Sequence, residues 1–341
     1  MVKLYHSILR EITLLRVMKN FFGYFFGILT LTLLLSGSAL WYFYGSQFHK
    51  SISALSPVPD FLMLSKNNQA TLLDLWFPGV QTVHGNGDVS DLTAQSVLMY
   101  DLTTDKILYE KDPKQRRPMA SLTKIMTAII AIENKKPDDK YLVTKDDIVG
   151  EDSMGVSSGE ILSFDDLIHG LLLPSGNDAA EVFAHNFSTG RSGFVQAMNN
   201  KAQALGLKDT HFTNPSGLQG DGNQYTTTYD LLVMTRYALE QYPDFANTVA
   251  TATYDIPASK NHKEFNLVNE TNLLTTYPGV KGVKTGYTPE AGLCLVTYLD
   301  FSGHKIIGII LNSQNRRGEM KELLDYSLQT VGVTPPPYED N

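Results

Sequence analysis

The sequence predicts a mixed α/β domain of the α+β type, preceded by one transmembrane helix. Strand-like runs lie near both ends of the main domain, and the stretch between them has helical periodicity. This order indicates a single sheet built from both ends of the domain and flanked by a helical lobe. With 341 residues, 43% of them hydrophobic, the chain can bury a core of ordinary size.

The transmembrane helix is predicted over residues 21–44, which include no Asp, Glu, Lys, Arg or His. A helix of 24 residues reaches about 36 Å, enough to cross a hydrocarbon core of about 30 Å. Because the basic residues precede this span, residues 1–20 are expected to form a cytoplasmic tail and everything after Gly45 to lie outside. A cleaved signal peptide with small residues at 37–39 is the alternative, but the long apolar run continues past them and favours a retained anchor.

The charge distribution excludes one class of partner. The net charge is −8, and the first twenty residues hold four basic residues and Glu11, a net +3, which leaves −11 for the remainder. An acidic body without a basic stripe argues against nucleic acid as a partner. The single cysteine, Cys294, excludes an intrachain disulfide and a thiolate metal cluster, and we interpret it as a buried structural thiol.

Three further regions are predicted from composition. Residues 45–93 contain prolines and a turn-rich run, which predicts a stalk or linker. Their apolar segment 72–77 suits docking on the domain or on the membrane, and the sequence leaves both open. Residues 94–332 form the predicted main domain, and 333–341, with three prolines, a flexible tail.

The main domain is predicted to begin with a β-hairpin, over residues 96–100 and 106–109. A helix then opens at Ser121. From Leu122 onward, apolar residues recur at i, i+3, i+4, i+7 and i+8, and most other faces are apolar as well. This helix is therefore expected in the middle of the core.

The rest of the domain is predicted to be helical first and then strand-rich. Further helices are predicted over 164–173, which ends at Pro174, and over 178–187, 193–205 and 229–242. The hydrophobic period then changes, which predicts strands over 280–285, 293–299 and 305–311 and a closing helix over 319–330.

The first chemical motif is Ser121-Leu122-Thr123-Lys124. It places a hydroxyl and an amine three residues apart at a helix start, so both face the same space. A serine hydroxyl needs a base to become a nucleophile, and a lysine can serve if burial, a neighbouring cation and the positive helix end lower its pKa. Alone the pattern is weak, since Ser-x-x-Lys occurs by chance about once or twice in a chain of this length.

Two more motifs follow along the chain. Ser175-Gly176-Asn177 lies between two predicted helices, where a loop can present a hydroxyl and an amide, although an ordinary capping turn is the alternative. Lys284-Thr285-Gly286 ends a predicted strand, where the glycine admits a substrate backbone, although a solvated edge strand is the alternative. Each alternative is the simpler explanation for one motif, but the three motifs in this order indicate a joint site.

Together the motifs resemble the signatures of the penicillin-recognising serine enzymes. The segments 118–127, 171–179, 205–207, 212–218 and 282–296 are similar to those of low-molecular-mass D-alanyl-D-alanine carboxypeptidases, and the resemblance covers about 96–332. It implies the penicillin-binding, β-lactamase-like transpeptidase fold, with an antiparallel sheet flanked by helices plus a helical lobe. It also implies a serine-type carboxypeptidase that removes the terminal D-alanine from peptidoglycan stem peptides.

The resemblance implies a role for each catalytic residue. Ser121 would be the nucleophile, Lys124 its base, and Ser175 the proton relay to the leaving amine. Backbone N–H groups of Ser121 and Tyr287 would form the oxyanion hole.

It also implies a set of substrate-binding residues. Asn177 would hold the substrate backbone, and Lys284 with Thr285 would lie near the substrate carboxylate. Gly286 and Tyr287 complete this set.

Two features depart from the family pattern. Relatives carry a second, β-rich domain and a carboxy-terminal anchor, and here the amino-terminal span is expected to replace that anchor. Some relatives have an arginine before Lys-Thr-Gly that helps bind the carboxylate, whereas residues 267–274 offer only Glu270 as a charged residue. The candidates for the missing cation are Lys281, Arg316 and Arg317.

Two rival functions remain open at this point: a β-lactamase of the same fold, and a catalytically silent wall-binding homologue. The intact Ser121, Lys124 and Lys284 argue against the silent homologue. We expect no cofactor and no metal, because the histidines lack metal-type spacing. The expected partners are a stem peptide ending in D-Ala-D-Ala, β-lactam antibiotics as acylating inhibitors, and the bacterial cell membrane through a single-pass helix, with the catalytic domain outside.

Overall fold

The computed structural model describes Thr32 and residues 76–338, apart from residues 84, 86–88, 90, 220 and 221. Except for Thr32, the transmembrane helix and cytoplasmic tail predicted over residues 1–44 lie outside this described part and stay predictions. Among the described residues, no helix has the length and apolar character needed to span a bilayer.

The described residues contain nine strands in three sheets. In chain order they are β1 Ser96–Asp101, β2 Lys106–Lys111, β3 Tyr141–Leu142, β4 Ile161–Leu162, β5 Thr253–Ile256, β6 Phe265–Val268, β7 Val280–Thr288, β8 Gly292–Phe301 and β9 His304–Ser313. The main sheet is antiparallel, with strand order β2-β1-β9-β8-β7. Strands from both ends of the domain therefore lie side by side, as predicted.

Eight α-helices fill the stretch between the strands and close the domain. They are α1 Lys124–Glu133, α2 Phe164–Leu172, α3 Asn177–His185, α4 Gly190–Ala204, α5 Thr228–Gln241, α6 Pro243–Val249, α7 Leu273–Thr276 and α8 Arg316–Thr330. This count refers to the part of the chain described above.

The main sheet is buried on both faces. In β1, Leu98 and Tyr100 join the larger core shared with the helical lobe, while Val97 and Met99 join a second core beneath α8. Side chains alternate between the two faces of a strand, so a strand that is apolar on both faces contributes to both cores. Every residue of β1 is accordingly buried.

Helix α1 lies in the middle of the larger core, as predicted, with Lys124–Ala131 all buried. Its start differs from the prediction. The helix predicted to open at Ser121 begins with a 3₁₀ turn, Ala120–Thr123, and becomes α-helical at Lys124. The reason is a positive φ of 47° at Ala120, which forces a tight turn before the α-helix can form.

Part of the predicted stalk packs on the domain. Residues 81–83 pair with Ile107 of β2, through Val83 N to Ile107 O (2.9 Å) and Ile107 N to Gln81 O (3.1 Å). The Trp76 ring packs edge-on against Tyr100 at 5.6 Å and lies 4.4 Å from the Arg236 guanidinium. The sequence left open whether residues 72–77 dock on the domain or on the membrane, and Trp76 of this segment docks on the domain. Residues 76–83 are therefore not a free stalk.

The predicted flexible tail also packs where the structure describes it. The Tyr338 hydroxyl donates to Asp325 at 2.6 Å, and its ring lies 5.0 Å from that of Tyr277. These contacts tie residues up to 338 to α8, which corrects the prediction of a loose tail from residue 333.

Candidate active site

Ser121 lies in the 3₁₀ turn that precedes α1. The turn is closed by Leu122 N donating to Met119 O at 3.1 Å and by Thr123 Oγ1 donating to Ala120 O at 2.8 Å. Ser121 itself is 7% exposed, so it is almost completely buried.

Lys124 is completely buried and contacts three oxygen atoms. Its Nζ lies 2.9 Å from Ser121 Oγ, 2.6 Å from Asn177 Oδ1 and 2.7 Å from the Ser216 carbonyl oxygen. Two of the three predicted motif regions and the loop before Gly217 therefore converge on one amine.

The electrostatic environment of Lys124 favours its neutral form. Burial, followed by the positive charge of Lys284, holds the pKa of Lys124 well below its ordinary value. Asp152, Glu270 and Asp178 act in the opposite direction but with smaller effects. An amine with a lowered pKa can accept a proton near neutral pH.

Of the three hydrogen-bond partners of Lys124, only one can donate a proton to the neutral amine. The Ser216 carbonyl oxygen and Asn177 Oδ1 can only accept, so they take the two N–H bonds of a neutral amine. The lone pair then points to the third neighbour, Ser121 Oγ, whose hydroxyl can donate. This geometry is what proton transfer from Ser121 to Lys124 requires.

The second motif forms a strained loop beside this amine. Ser175 has a φ of 63°, which is unusual for a residue other than glycine. Its Oγ is buried and has no hydrogen-bond partner among the described residues. A buried, unpaired hydroxyl costs about 1–3 kcal/mol, so it marks a position where a ligand can supply the missing partner.

Asn177 is fixed from two sides. Its backbone N donates to the Asp152 carbonyl oxygen at 2.7 Å, and its side-chain Oδ1 accepts from Lys124. The Asp178 carboxylate in turn accepts from the backbone N of Met154 (3.0 Å), Gly155 (2.9 Å) and Val156 (3.1 Å). The loop around Asp152 is thereby held against the second motif.

The third motif lies on β7. Lys284 is 1% exposed, its Nζ donates to the Thr285 carbonyl oxygen at 3.1 Å, and burial lowers its pKa to about 8. Thr285 Oγ1 donates to Glu270 Oε2 at 3.0 Å. The motif therefore combines a cation, a hydroxyl and a neighbouring carboxylate.

Two glycines allow elements to approach the Ser121 amide closely. A Cβ at Gly286 would lie 3.1 Å from Ser121 N, so a side chain there would crowd the 3₁₀ turn that β7 approaches. At Gly217, φ is +93°, and a Cβ would lie 2.1 Å from Ala120 O. Tyr287 follows Gly286 on β7, so its backbone lies next to the same junction. Tyr287 itself is 59% exposed.

The structure thus brings residues of all three motifs together around Ser121. The profile of the D-alanyl-D-alanine carboxypeptidase family, peptidase S11, matches residues 81–315. The chain belongs to this family.

Two relatives illustrate the extent of the likeness. The D-alanyl-D-alanine carboxypeptidase DacF of Bacillus subtilis is 34% identical over 252 residues, which cover 71% of this chain and 64% of that protein. The D-alanyl-D-alanine carboxypeptidase DacD of Escherichia coli is 31% identical over 244 residues, which cover 68% of this chain and 61% of that protein. The chain therefore matches less than two thirds of the length of these relatives.

Solved structures of the D-alanyl-D-alanine carboxypeptidase family share the fold. A carboxypeptidase of this name from Mycobacterium tuberculosis is 32% identical with a TM-score of 0.66, covering 72% of this chain and 96% of its own. A Streptomyces DD-transpeptidase is 29% identical with a TM-score of 0.66, covering 71% and 100%. The mixed α/β, penicillin-binding-like fold is confirmed.

The structure also separates the three candidate cations. Arg316 Nη1 donates to the carbonyl oxygens of Gly286 (2.8 Å) and Cys294 (3.4 Å), and its charge acts on Lys284. Lys281 is exposed at the start of β7, and Arg317 Nε is buried without a hydrogen-bond partner among the described residues. Arg316 is therefore the candidate that directly contacts the strand of the third motif.

Cys294 is buried, and burial raises its pKa to about 11. This agrees with the interpretation of a structural thiol, because a protonated, enclosed sulfur is a poor nucleophile.

Sequence reasoning missed three contributors to the site. The Ser216 carbonyl oxygen, the Asp178 carboxylate and the Glu270 carboxylate all contact motif residues or the loops that hold them. For Ser216 the only available signal was its position in the 212–218 segment. For Glu270 the signal was its isolated charge before the third motif.

Proposed function

We propose that this chain is a serine-type D-Ala-D-Ala carboxypeptidase that removes the terminal D-alanine from peptidoglycan stem peptides through an acyl-enzyme on Ser121. The observation that carries the proposal is the 2.9 Å contact between Lys124 Nζ and Ser121 Oγ, with the other partners of the amine restricted to acceptors. Membership of the family supports it, as do the names of the Bacillus subtilis and Escherichia coli relatives.

Acylation would begin with transfer of the Ser121 hydroxyl proton to the neutral Lys124 amine. Ser121 Oγ then attacks the carbonyl carbon of the penultimate D-alanine, and the carbonyl oxygen becomes an oxyanion. Backbone N–H groups of Ser121 and Tyr287, on the two elements that meet at Gly286, would stabilise that charge.

Release of the terminal D-alanine requires a proton on its leaving nitrogen. Ser175 is the proposed relay, because its buried hydroxyl lacks a partner among the described residues and lies in the loop that also positions Asn177. Once its proton has passed through Ser175 to the leaving nitrogen, Lys124 is neutral again. A water molecule would then attack the Ser121 ester and pass a proton to Lys124, which returns it to Ser121 Oγ as the ester bond breaks.

Substrate binding is proposed to use the opposite wall of the cleft. Asn177 would hold the substrate backbone, and Lys284 and Thr285, on the edge strand β7, would bind the terminal carboxylate. Arg316 supports this subsite, since its guanidinium anchors the Gly286 carbonyl oxygen and adds positive charge near Lys284.

Labelled benzylpenicillin separates this function from its two rivals. A β-lactam presents a reactive carbonyl to the same nucleophile, so the purified chain should take up the label and keep it for a long time. Rapid turnover of the label would identify a β-lactamase. A folded chain without any uptake would identify a silent homologue.

Release of D-alanine from a peptide ending in D-Ala-D-Ala tests the substrate itself. The wild-type chain should release one D-alanine per peptide, and Ser121→Ala should release none. Release by the alanine variant would place the nucleophile elsewhere.

We further propose that the chain is anchored in the bacterial cell membrane by residues 21–44, with the catalytic domain outside. The support is the charge-free segment of 24 residues and the basic flank before it. In fractionated cells, the full chain should sediment with the membranes. Added protease should cleave its catalytic domain only when the protease can reach the outer face of the cell membrane. A soluble mature form that begins near residue 39 would contradict the anchor.

A further inference from the structure

Glu270 occupies a fixed position between the second and third motifs. Its backbone N donates to the Leu173 carbonyl oxygen at 3.1 Å, just before the Ser175 loop, and its own carbonyl oxygen accepts from Asn272 N at 2.9 Å. Its carboxylate accepts the hydrogen bond from Thr285 Oγ1. Glu270 is exposed, so it is not part of the core.

The hydrogen bond to Glu270 uses the only proton of the Thr285 hydroxyl. A threonine hydroxyl has one donor and two acceptor lone pairs. While it donates to Glu270, Thr285 can offer only its lone pairs to a ligand. A substrate carboxylate, which is acceptor-only, gains no hydrogen bond from Thr285 unless this contact breaks.

The charge of Glu270 acts on the same group of cations that would attract a carboxylate. It opposes the lowering of the pKa of Lys284, Lys124 and Arg316, so its field reaches all three. Its negative charge therefore partly offsets the attraction of Lys284 and Arg316 for an anion. A terminal carboxamide or a continuing peptide bond carries no charge and brings an N–H donor that suits both Thr285 Oγ1 and the carboxylate.

We propose that Glu270 is a specificity-determining residue that weakens the binding of peptides with a free terminal carboxylate relative to peptides whose terminus is amidated or extended. The inference rests on the proposed function, because it concerns the group that follows the cleaved bond. It predicts that the charge of Glu270 controls substrate choice through binding.

The test uses two peptides that differ only at the terminus, one ending in D-Ala-D-Ala carboxylate and the other in D-Ala-D-Ala carboxamide. The full chain is compared as wild type, Glu270→Gln and Glu322→Gln. Glutamine keeps the size of Glu270 and an oxygen that can accept from Thr285, but it removes the charge. Glu322 is exposed on α8 and serves as the matched control for loss of one carboxylate.

Glu270→Gln should raise the ratio of kcat/KM for the carboxylate peptide to that for the carboxamide peptide by about tenfold, the effect expected for one nearby like charge at a partly exposed site. The change should appear in KM for the carboxylate peptide. Glu322→Gln should leave the ratio unchanged.

A second pair of probes reports on the same subsite without turnover. Benzylpenicillin carries a free carboxylate, and its methyl ester does not. Acylation by benzylpenicillin should be accelerated in Glu270→Gln by a larger factor than acylation by the ester, because both share any change at Lys124 and only benzylpenicillin carries the carboxylate.

Different results identify different failures. A folded Glu270→Gln chain that changes both peptides equally, or neither, overturns the inference while the proposed function stands. A wild-type chain that cleaves neither peptide and takes up no penicillin overturns the proposed function and the inference with it.

Discussion

Lys284 affects the site in two ways at the scale of a single residue. Its charge is the second largest cause, after burial, of the lowered pKa of Lys124. It also lies in the strand where the substrate carboxylate is proposed to bind. A neutral substitution removes both effects, and the pH dependence of acylation separates them.

Replacing Lys284 with glutamine should raise the pKa of Lys124, because a nearby like charge is lost. Lys124 would then be neutral only at higher pH, so the acid limb of the acylation profile should move upward. At neutral pH the acylation rate should fall roughly 100-fold or more, the range of general-base catalysis. Benzylpenicillin acylation measured against pH tests this, and an unshifted acid limb would show that Lys284 acts in binding only.

Replacing Lys284 with arginine addresses the other limb of the profile. Burial lowers the pKa of Lys284 to about 8, so its charge is lost as the pH rises through that value, and carboxylate binding should weaken. Arginine stays charged throughout, and the decline above about pH 8 should therefore disappear, although the planar head group is expected to retain only part of the rate. A basic limb that is the same in both proteins would exclude Lys284 as its origin.

The sequence identified side chains with chemical motifs but not the partners that tertiary structure supplies. Ser121, Lys124, Asn177 and Lys284 could be singled out because their residue types and spacing form known patterns. The Ser216 carbonyl oxygen could not, since every residue has such a group and only the fold selects one. The charge of Glu270 can be seen in the sequence, but its contact with Thr285 depends on how the 269–272 segment packs beside β7.

Close contacts between elements determine the shape of the cleft. The turn with Ala120, the loop with Gly217 and strand β7 meet at the Ser121 amide, where a Cβ at Gly217 would clash and one at Gly286 would be crowded. Backbone geometry at this junction therefore positions the nucleophile and the proposed oxyanion hole together.

Gly217→Ala should disturb this junction. The new Cβ would lie 2.1 Å from Ala120 O at a φ of +93°, so the loop or the turn must shift. We expect a loss of stability of about 2 kcal/mol or more and slower acylation of Ser121. Thermal unfolding and the acylation rate with benzylpenicillin check both effects.

Gly303→Ala is the matched control for backbone strain. Gly303 has a similar φ of +84°, but a Cβ there would meet nothing within 4 Å. This variant should lose only about 1 kcal/mol and acylate at the wild-type rate. Equal acylation defects in the two variants would mean that the Gly217 contact has no special role.

The long periodic elements were predicted from sequence, whereas the short ones were missed. Strands β7, β8 and β9 and helices α1 to α5 were each anticipated within a few residues, because their apolar periods extend over several turns or pairs. The two-residue strands β3 and β4 and the four-residue strands β5 and β6 are too short to show a hydrophobic periodicity in the sequence. Helix α6 was not predicted, although its first residue, Pro243, suits the first position of a helix.

At the scale of the whole molecule, the catalytic domain includes residues that precede its first sheet strand. Trp76 packs on Tyr100 and Arg236, and Thr93 N donates to Glu319 Oε1 at 2.6 Å. The composition of this stretch resembles a linker, so its packing could not be predicted. Its contacts come from partners far away in the chain.

Trp76→Ala should therefore destabilise the domain. The ring is only partly buried, so we expect a loss of about 2 kcal/mol and a lower melting temperature. The neighbouring Phe77 is 59% exposed, and Phe77→Ala should change stability by less than about 0.5 kcal/mol. Equal effects of the two substitutions would indicate that the Trp76 contacts contribute little.

The central claim is that Ser121 is the nucleophile and Lys124 its base. The most direct test is intact-mass analysis of the chain after incubation with benzylpenicillin, followed by mapping of the modified peptide, with Ser121→Ala treated in parallel. The account predicts one penicilloyl group per chain, located on the peptide that contains Ser121, and an unmodified but folded alanine variant. An adduct on another peptide, or modification of the alanine variant at the wild-type rate, would contradict it.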